Sequence, residues 1–182
     1  MMVLVTGGSG SGKSAYAEDR VISLGEARRI YIATMQAFDP ESRRRIDRHR
    51  RMRAGKGFET VERYRDLDEL FLPSDSVVLL ECMSNLVANE MFREGADAAL
   101  VADHVIEGVK HVKKQVWHVV IVTNEIFSDG FPYDSETKAY QQVLGEINCR
   151  MAELADQVTE VVYGIPVHHK GGECCEKSLE QC

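Results

Sequence analysis

MMVLVTGGSGSGKS, residues 1–14, decides the fold: an apolar run flows into G-x-x-x-x-G-K-[ST], with Gly7, Gly12, Lys13 and Ser14 in register. A triphosphate is held by backbone N–H groups turned toward it, which requires a loop with almost no side chains. Gly7, Gly8, Ser9, Gly10, Ser11 and Gly12 supply such a loop. The spacing predicts that Lys13 reaches the β- and γ-phosphates and that the Ser14 hydroxyl holds Mg²⁺. A helix opening at Lys13 then points its positive end at the phosphates. A flexible Gly/Ser linker is the plain alternative. A linker does not need a strand before it, a helix after it and a Lys-Ser pair between. The stretch reads as a nucleoside triphosphate site on a solvent-facing loop.

Outward from this loop, residues 3–6 read as a buried strand and 13–25 as a helix that Gly25 stops. RRIYIAT, 28–34, is β-branched and aromatic, so it predicts a second strand. Asp39-Pro40 breaks the chain and starts a helix over 40–52. A short strand over 58–62 and a brief helix over 66–71 follow. SVVLLE, 76–81, is an uninterrupted apolar run ending in an acid, as expected of a central parallel strand buried on both faces. Helices are expected over 84–92 and 97–114, a strand over 117–123, a loop over 124–133 and a helix over 135–155. VTEVVYG, 158–164, closes the pattern as the last strand. Alternating strands and helices make this an α/β, P-loop NTPase-like fold, a mostly parallel central sheet with helices on both faces and the site at the strands' C-terminal ends.

The chain has 182 residues, enough for one sizeable domain and too few for two. We expect that domain over 1–167 and a poorly ordered Cys-containing tail over 168–182. No apolar run approaches the roughly 20 residues of a membrane span, and no signal peptide is visible. The expectation is a cytoplasmic protein with no membrane partner. A net charge of −7 argues against nucleic acid as a partner. Residues 43–56, RRRIDRHRRMRAGK, are the exception, at +7 against −14 for the remainder. They imply a local anion site. Five cysteines show neither a disulfide framework nor a standard zinc spacing, even in HHKGGECC, 168–175.

Glu81 stands where an apolar strand runs out, the place for a second acid to meet magnesium held by Ser14. Its plain alternative is a helix-capping or solvated acid. Glu125 is another carboxylate on the same sheet edge, suited either to orienting or deprotonating an attacking hydroxyl or to bonding nearby backbone. A lone histidine in a basic run is ordinarily solvated, but His49 has arginines around it, where a phosphorus centre would be gripped and attacked. Glu62 could accept from guanine N1–H and its exocyclic amine, donors that adenine lacks in that arrangement.

With these residues in place, the chain from Met1 to about Val167 resembles the bifunctional adenosylcobinamide kinase and adenosylcobinamide-phosphate guanylyltransferase family of cobalamin biosynthesis. The motifs run in order: LVTGGSGSGKS, YIAT at 31–34, RI-x-x-H at 45–49, TVE at 60–62, LLEC at 79–82 and VTNE at 122–125. Gly145, Asn148 and Ala155-Asp156 complete the set. The resemblance implies that His49 accepts GMP from GTP. It also implies that Ala33, Thr34, Met35, Arg50, Arg51, Met52, Arg53, Glu62 and Glu81 contribute to the nucleotide site. Catalysis would rest on His49, Lys13 and Glu125, with Ser14 and Glu81 on the metal. The substrates would be a corrinoid with ATP or GTP, the cofactor Mg²⁺, and the assembly a homo-oligomer, a trimer. Two other readings stay open from the residues alone: a P-loop kinase of another small alcohol or nucleotide, and a nucleotide-switched RNA- or partner-binding protein. The chain departs from the family pattern at Arg48, often histidine there, at IFSDGF after VTNE, and at Ser135, Lys138 and Gln141, where arginines are common.

Overall fold

The computed structural model describes residues 1–127, 130 and 132–171. Its strands are β1 (Met2–Thr6), β2 (Arg28–Ala33), β3 (Phe58–Glu62), β4 (Ser76–Glu81), β5 (His118–Val122), β6 (Gln157–Val162) and β7 (Ile165–Lys170). Its helices are α1 (Lys13–Ser23), α2 (Pro40–Arg53), α3 (Met83–Met91), α4 (Ala98–Gln115) and α5 (Ser135–Leu154). The predicted helix over 66–71 shrinks to a 3₁₀ turn, Leu67–Glu69.

One sheet runs in the order β3-β2-β4-β5-β1-β6-β7. All pairings are parallel except β6 with β7. Successive residues of a strand face opposite sides, and each strand near the centre therefore feeds two cores. Met2, Leu4, Ile30, Ile32, Val78 and Leu80 pack with α3, α4 and α5 on one side. Val3, Val5, Tyr31, Val77 and Leu79 pack with Ala17 and Val21 of α1 on the other. At about 25 cal/mol per Å² of apolar surface, these continuous runs give β1, β4 and β5 no favourable position except inside.

The helix α2 is built differently. Asp39 caps it in a capping box with Ser42, and Pro40 opens it, as Asp-Pro predicts. Arg53 is its one buried residue. Without an apolar stripe, its place is set by polar contacts near its C-terminal end.

The expected last strand is not the last. Tyr163 and Gly164 take positive φ values of 51° and 82°, the two-residue turn that suits a right-twisted hairpin, and β7 returns antiparallel beside β6. It carries the ordered chain beyond Val167, so His168, His169 and Lys170 lie in a strand and not in a tail. The turn also leans on the phosphate loop: Gly164 N–H donates to Ser11 O at 2.8 Å. Residues 172–182, with Cys174, Cys175 and Cys182, lie outside the described residues, as do Ser128, Asp129 and Phe131 of the IFSDGF departure. Among the described residues no helix is long and apolar enough to cross a membrane.

Candidate active site

Gly7 and Gly12 show why the loop needs glycine. Gly7 has φ 148°, and a Cβ there would stand 2.5 Å from Val161 O. Gly12 caps α1 with φ 94°, a left-handed conformation that side chains resist. The chain so bent aims the N-terminus of α1 at the enclosed space, a ready anion seat. Lys13 Nζ donates to Gly8 O at 2.9 Å across the loop. Its side chain is buried, 8% exposed, contrary to the solvent-facing position expected, because α1 packs over the central strands β1, β4 and β5. Burial lowers the pKa of its ammonium, with Cys82 and Glu81 pulling the other way.

Glu81 is the junction of the site. It ends β4, is 7% exposed, and receives the Ser14 hydroxyl on Oε1 and the Tyr31 hydroxyl on Oε2, the latter at 3.1 Å. His49 Nδ1 lies 3.3 Å from the same Oε1, within ion-pair distance. Burial alone would raise the Glu81 carboxyl; His49, Ser14 and Tyr31 outweigh it and hold the group below the usual carboxylate range. Nδ1 is buried and makes no hydrogen bond, so it is the Glu81 carboxylate at ion-pair distance that favours a proton on that nitrogen and leaves the lone pair on Nε2. The basic helix and the phosphate loop, 35 residues apart in sequence between Ser14 and His49, thus meet at one oxygen.

Tyr31 was not singled out by the sequence, yet it joins two predicted residues. Its ring carries the Arg53 guanidinium at 3.3 Å from the centroid, while its hydroxyl serves Glu81. Burial raises its phenol pKa well above the ordinary value, so it remains a donor. Lys56 was missed too: just past α2, its Nζ donates at 2.7 Å to the fully buried Glu18 of α1. Its basic neighbours masked it in the sequence.

The remaining candidates divide. Ala33 is aligned with Glu81 on one side and Glu62 on the other, all three at strand C-termini. The Thr34 hydroxyl is fully buried and engaged twice with Cys82, donating to its carbonyl and accepting from its N–H, both at 2.8 Å. Met35 and Met52 are half-buried, and Arg50 and Arg51 are exposed. Glu62 stands two strands from Glu81, roughly 10 Å by strand spacing, with Oε1 3.4 Å from Arg50 and Oε2 accepting from Tyr64 at 2.7 Å. Glu125 lies beside the phosphate loop, its N–H donating to Gly7 O at 3.2 Å and its Oε1 accepting from Phe127 N–H at 2.8 Å. Asn148 and Asp156 hold the scaffold: Asn148 accepts from Thr123, and Asp156 accepts from the Met2 N–H at 2.6 Å.

The chemistry of the donor set suits magnesium. Ser14 and Glu81 present two oxygens in direct contact, the hard ligands that cation takes alongside substrate phosphates.

A family model described as cobinamide kinase / cobinamide phosphate guanyltransferase matches residues 3–169. The bifunctional adenosylcobalamin biosynthesis protein CobU of Escherichia coli is 34% identical over 93% of this chain and all of its own length. The Salmonella typhimurium protein of the same name is 35% identical over 93% of this chain and 100% of itself. The bifunctional adenosylcobalamin biosynthesis protein CobP of Pseudomonas aeruginosa is 29% identical over 94% and 98%. Among solved structures, the ATPase domain of G40P aligns with 87% of this chain and 68% of that one, at a TM-score of 0.47 and 11% identity. A likeness that distant carries no argument about function. The match of nearly the whole chain does: this chain belongs to the cobinamide kinase / cobinamide phosphate guanyltransferase family.

Proposed function

We propose that the chain performs both family reactions on adenosylcobinamide at one triphosphate seat. In the first, the substrate hydroxyl oxygen attacks the γ-phosphorus of ATP or GTP, a new P–O bond forms, and the nucleoside diphosphate leaves. Lys13 and the loop N–H groups receive the charge that develops on the phosphoryl oxygens. Glu125, beside the loop, is the acceptor we assign to the hydroxyl proton. In the second, the His49 Nε2 lone pair attacks the α-phosphorus of GTP, and pyrophosphate departs as the N–P bond forms. The phosphate of the first product then attacks that phosphorus, breaks the N–P bond and yields adenosylcobinamide-GDP. Ser14 and Glu81 would hold magnesium, which supplies charge neutralisation on the phosphates.

The observation that carries this reading is His49 Nδ1 at 3.3 Å from the Glu81 oxygen that also takes the Ser14 hydroxyl. A histidine on a merely solvated basic helix has no reason to be 15% exposed there. The test is incubation with α-labelled GTP. A labelled adduct stable to base and lost in acid is a phosphoramidate; a base-sensitive or absent adduct removes the histidine route.

Glu81→Gln keeps the shape of the side chain and removes its charge. We expect the magnesium concentration for half-maximal rate to rise by about tenfold, roughly 1.4 kcal/mol. An unchanged magnesium titration would return Glu81 to a structural role. Glu62 tests base selection, since a guanine-reading acceptor gains nothing from adenine. Glu62→Ala should raise the Kd for GTP by about tenfold, the effect of roughly 1.4 kcal/mol, while fluorescence titration finds ATP binding unmoved. Equal losses for both nucleotides would show that the base is read elsewhere. A trimeric assembly belongs to the same proposal, supported by the exposed Tyr163, Ile165 and Val167 of the β6–β7 hairpin.

A further inference from the structure

Away from the phosphate loop, three chain segments converge on ionisable groups that the reactions above do not use. Asp66 precedes the 3₁₀ turn, Asp68 lies in it, Glu90 sits near the end of α3, and His104 lies in the second turn of α4. One ligand atom from each of Asp66, Asp68 and His104 lies within 4.8 Å of the other two. His104 Nε2 is 3.2 Å from Asp66 Oδ1, 3.8 Å from Asp68 Oδ1 and 3.4 Å from Glu90 Oε1. Ligands bonded to a tetrahedral zinc at about 2.0–2.1 Å stand about 3.3 Å apart. The spacing is already close to that of a coordination shell.

Charge points the same way. Glu90 is 2% exposed; its Oε1 accepts from the Asp66 N–H at 2.7 Å, but its Oε2 makes no hydrogen bond and has Arg93 at 3.4 Å as an ion-pair partner. Arg93 also donates to Asp66 Oδ1 at 2.9 Å. Three carboxylates, Asp66, Asp68 and Glu90, face the single guanidinium of Arg93, an excess of negative charge around the imidazole that a divalent cation would offset. When a cation takes Asp66 Oδ1, Arg93 keeps Glu90 as its partner.

We propose that Asp66, Asp68 and His104 bind a divalent transition cation of the zinc class, with buried Glu90 as the counter-charge beside it. An imidazole among carboxylates selects such a cation over the magnesium that the all-oxygen Ser14–Glu81 pair suits. Bound there, the cation ties the 3₁₀ turn after β3 to α4.

Calorimetric titration of the full-length protein with Zn²⁺, paired with Co²⁺ followed by visible absorption, tests this. One equivalent should bind and raise the thermal midpoint. The cobalt spectrum should be tetrahedral without thiolate charge-transfer bands. His104→Ala should weaken binding by about 100-fold or more, beyond the 10- to 100-fold typical of losing an outer partner. Asp68→Asn alters a half-exposed turn residue that no core contact needs, so it keeps the test valid if His104→Ala fails to fold; it should weaken binding by about tenfold or more. Thiolate bands would assign the metal to the cysteines and overturn the proposal. So would absence of binding, or affinity unchanged in these variants.

Discussion

In the His49→Ala protein, the adduct with labelled GTP is expected to vanish and GMP transfer to fall by about 10³-fold or more, the scale on which a lost nucleophile is felt. Phosphorylation of cobinamide should continue at close to its normal rate, because that step uses Lys13, the loop N–H groups and an aligned hydroxyl. The fold should survive, since α2 contributes no apolar residue to either core and Glu81 keeps the hydroxyls of Ser14 and Tyr31. Separate initial-rate assays for the two products check this. GMP transfer near the wild-type rate would show that the basic helix is only an anion-binding surface.

Lys13→Met is expected to remove both activities together, each by about 10³-fold, or roughly 4 kcal/mol of transition-state stabilisation. Methionine is the informative replacement because the Lys13 stem is buried, and alanine would add a cavity to the loss of charge. In the proposed mechanism the lysine serves the phosphates of both reactions, whichever phosphorus is attacked. The two variants therefore give different patterns: His49 separates the activities and Lys13 does not. Retained kinase turnover in Lys13→Met, with a thermal midpoint unchanged, would remove the loop from the mechanism.

Much of this was readable from residue types. Gly7 to Ser14 announced the phosphate loop, the apolar runs of β1, β4 and β5 announced strands covered on both faces, and Asp39-Pro40 marked the start of α2 within a residue. Strand register was not readable, because a run that is apolar at every position carries no period-two signal. In β2, RRIYIA, the apolar residues Ile30, Tyr31 and Ile32 stand side by side, so Tyr31 could not be assigned to the face that serves Glu81. The end of the sheet was misjudged for a related reason. Tyr163-Gly164 is a hairpin signal only if an apolar strand follows, and IPVHHK has just two aliphatic positions, all of its residues being exposed. The convergence of Ser14 and His49 on one oxygen depends on how α2 lies across the sheet, and an unstriped helix gives no hint of its orientation. Thr34 shows the converse limit: its neighbours promise a ligand contact, and its hydroxyl is spent on Cys82.

That shared oxygen of Glu81 bears on how the molecule keeps time. If both reactions use the one phosphate loop, as proposed, they must take turns, and an ATP in the seat is a GTP kept waiting. On that reading the balance of the two nucleotides would act as a throttle on the second step. ATP in excess should slow guanylylation by competition alone, and a pulse of GTP should release it.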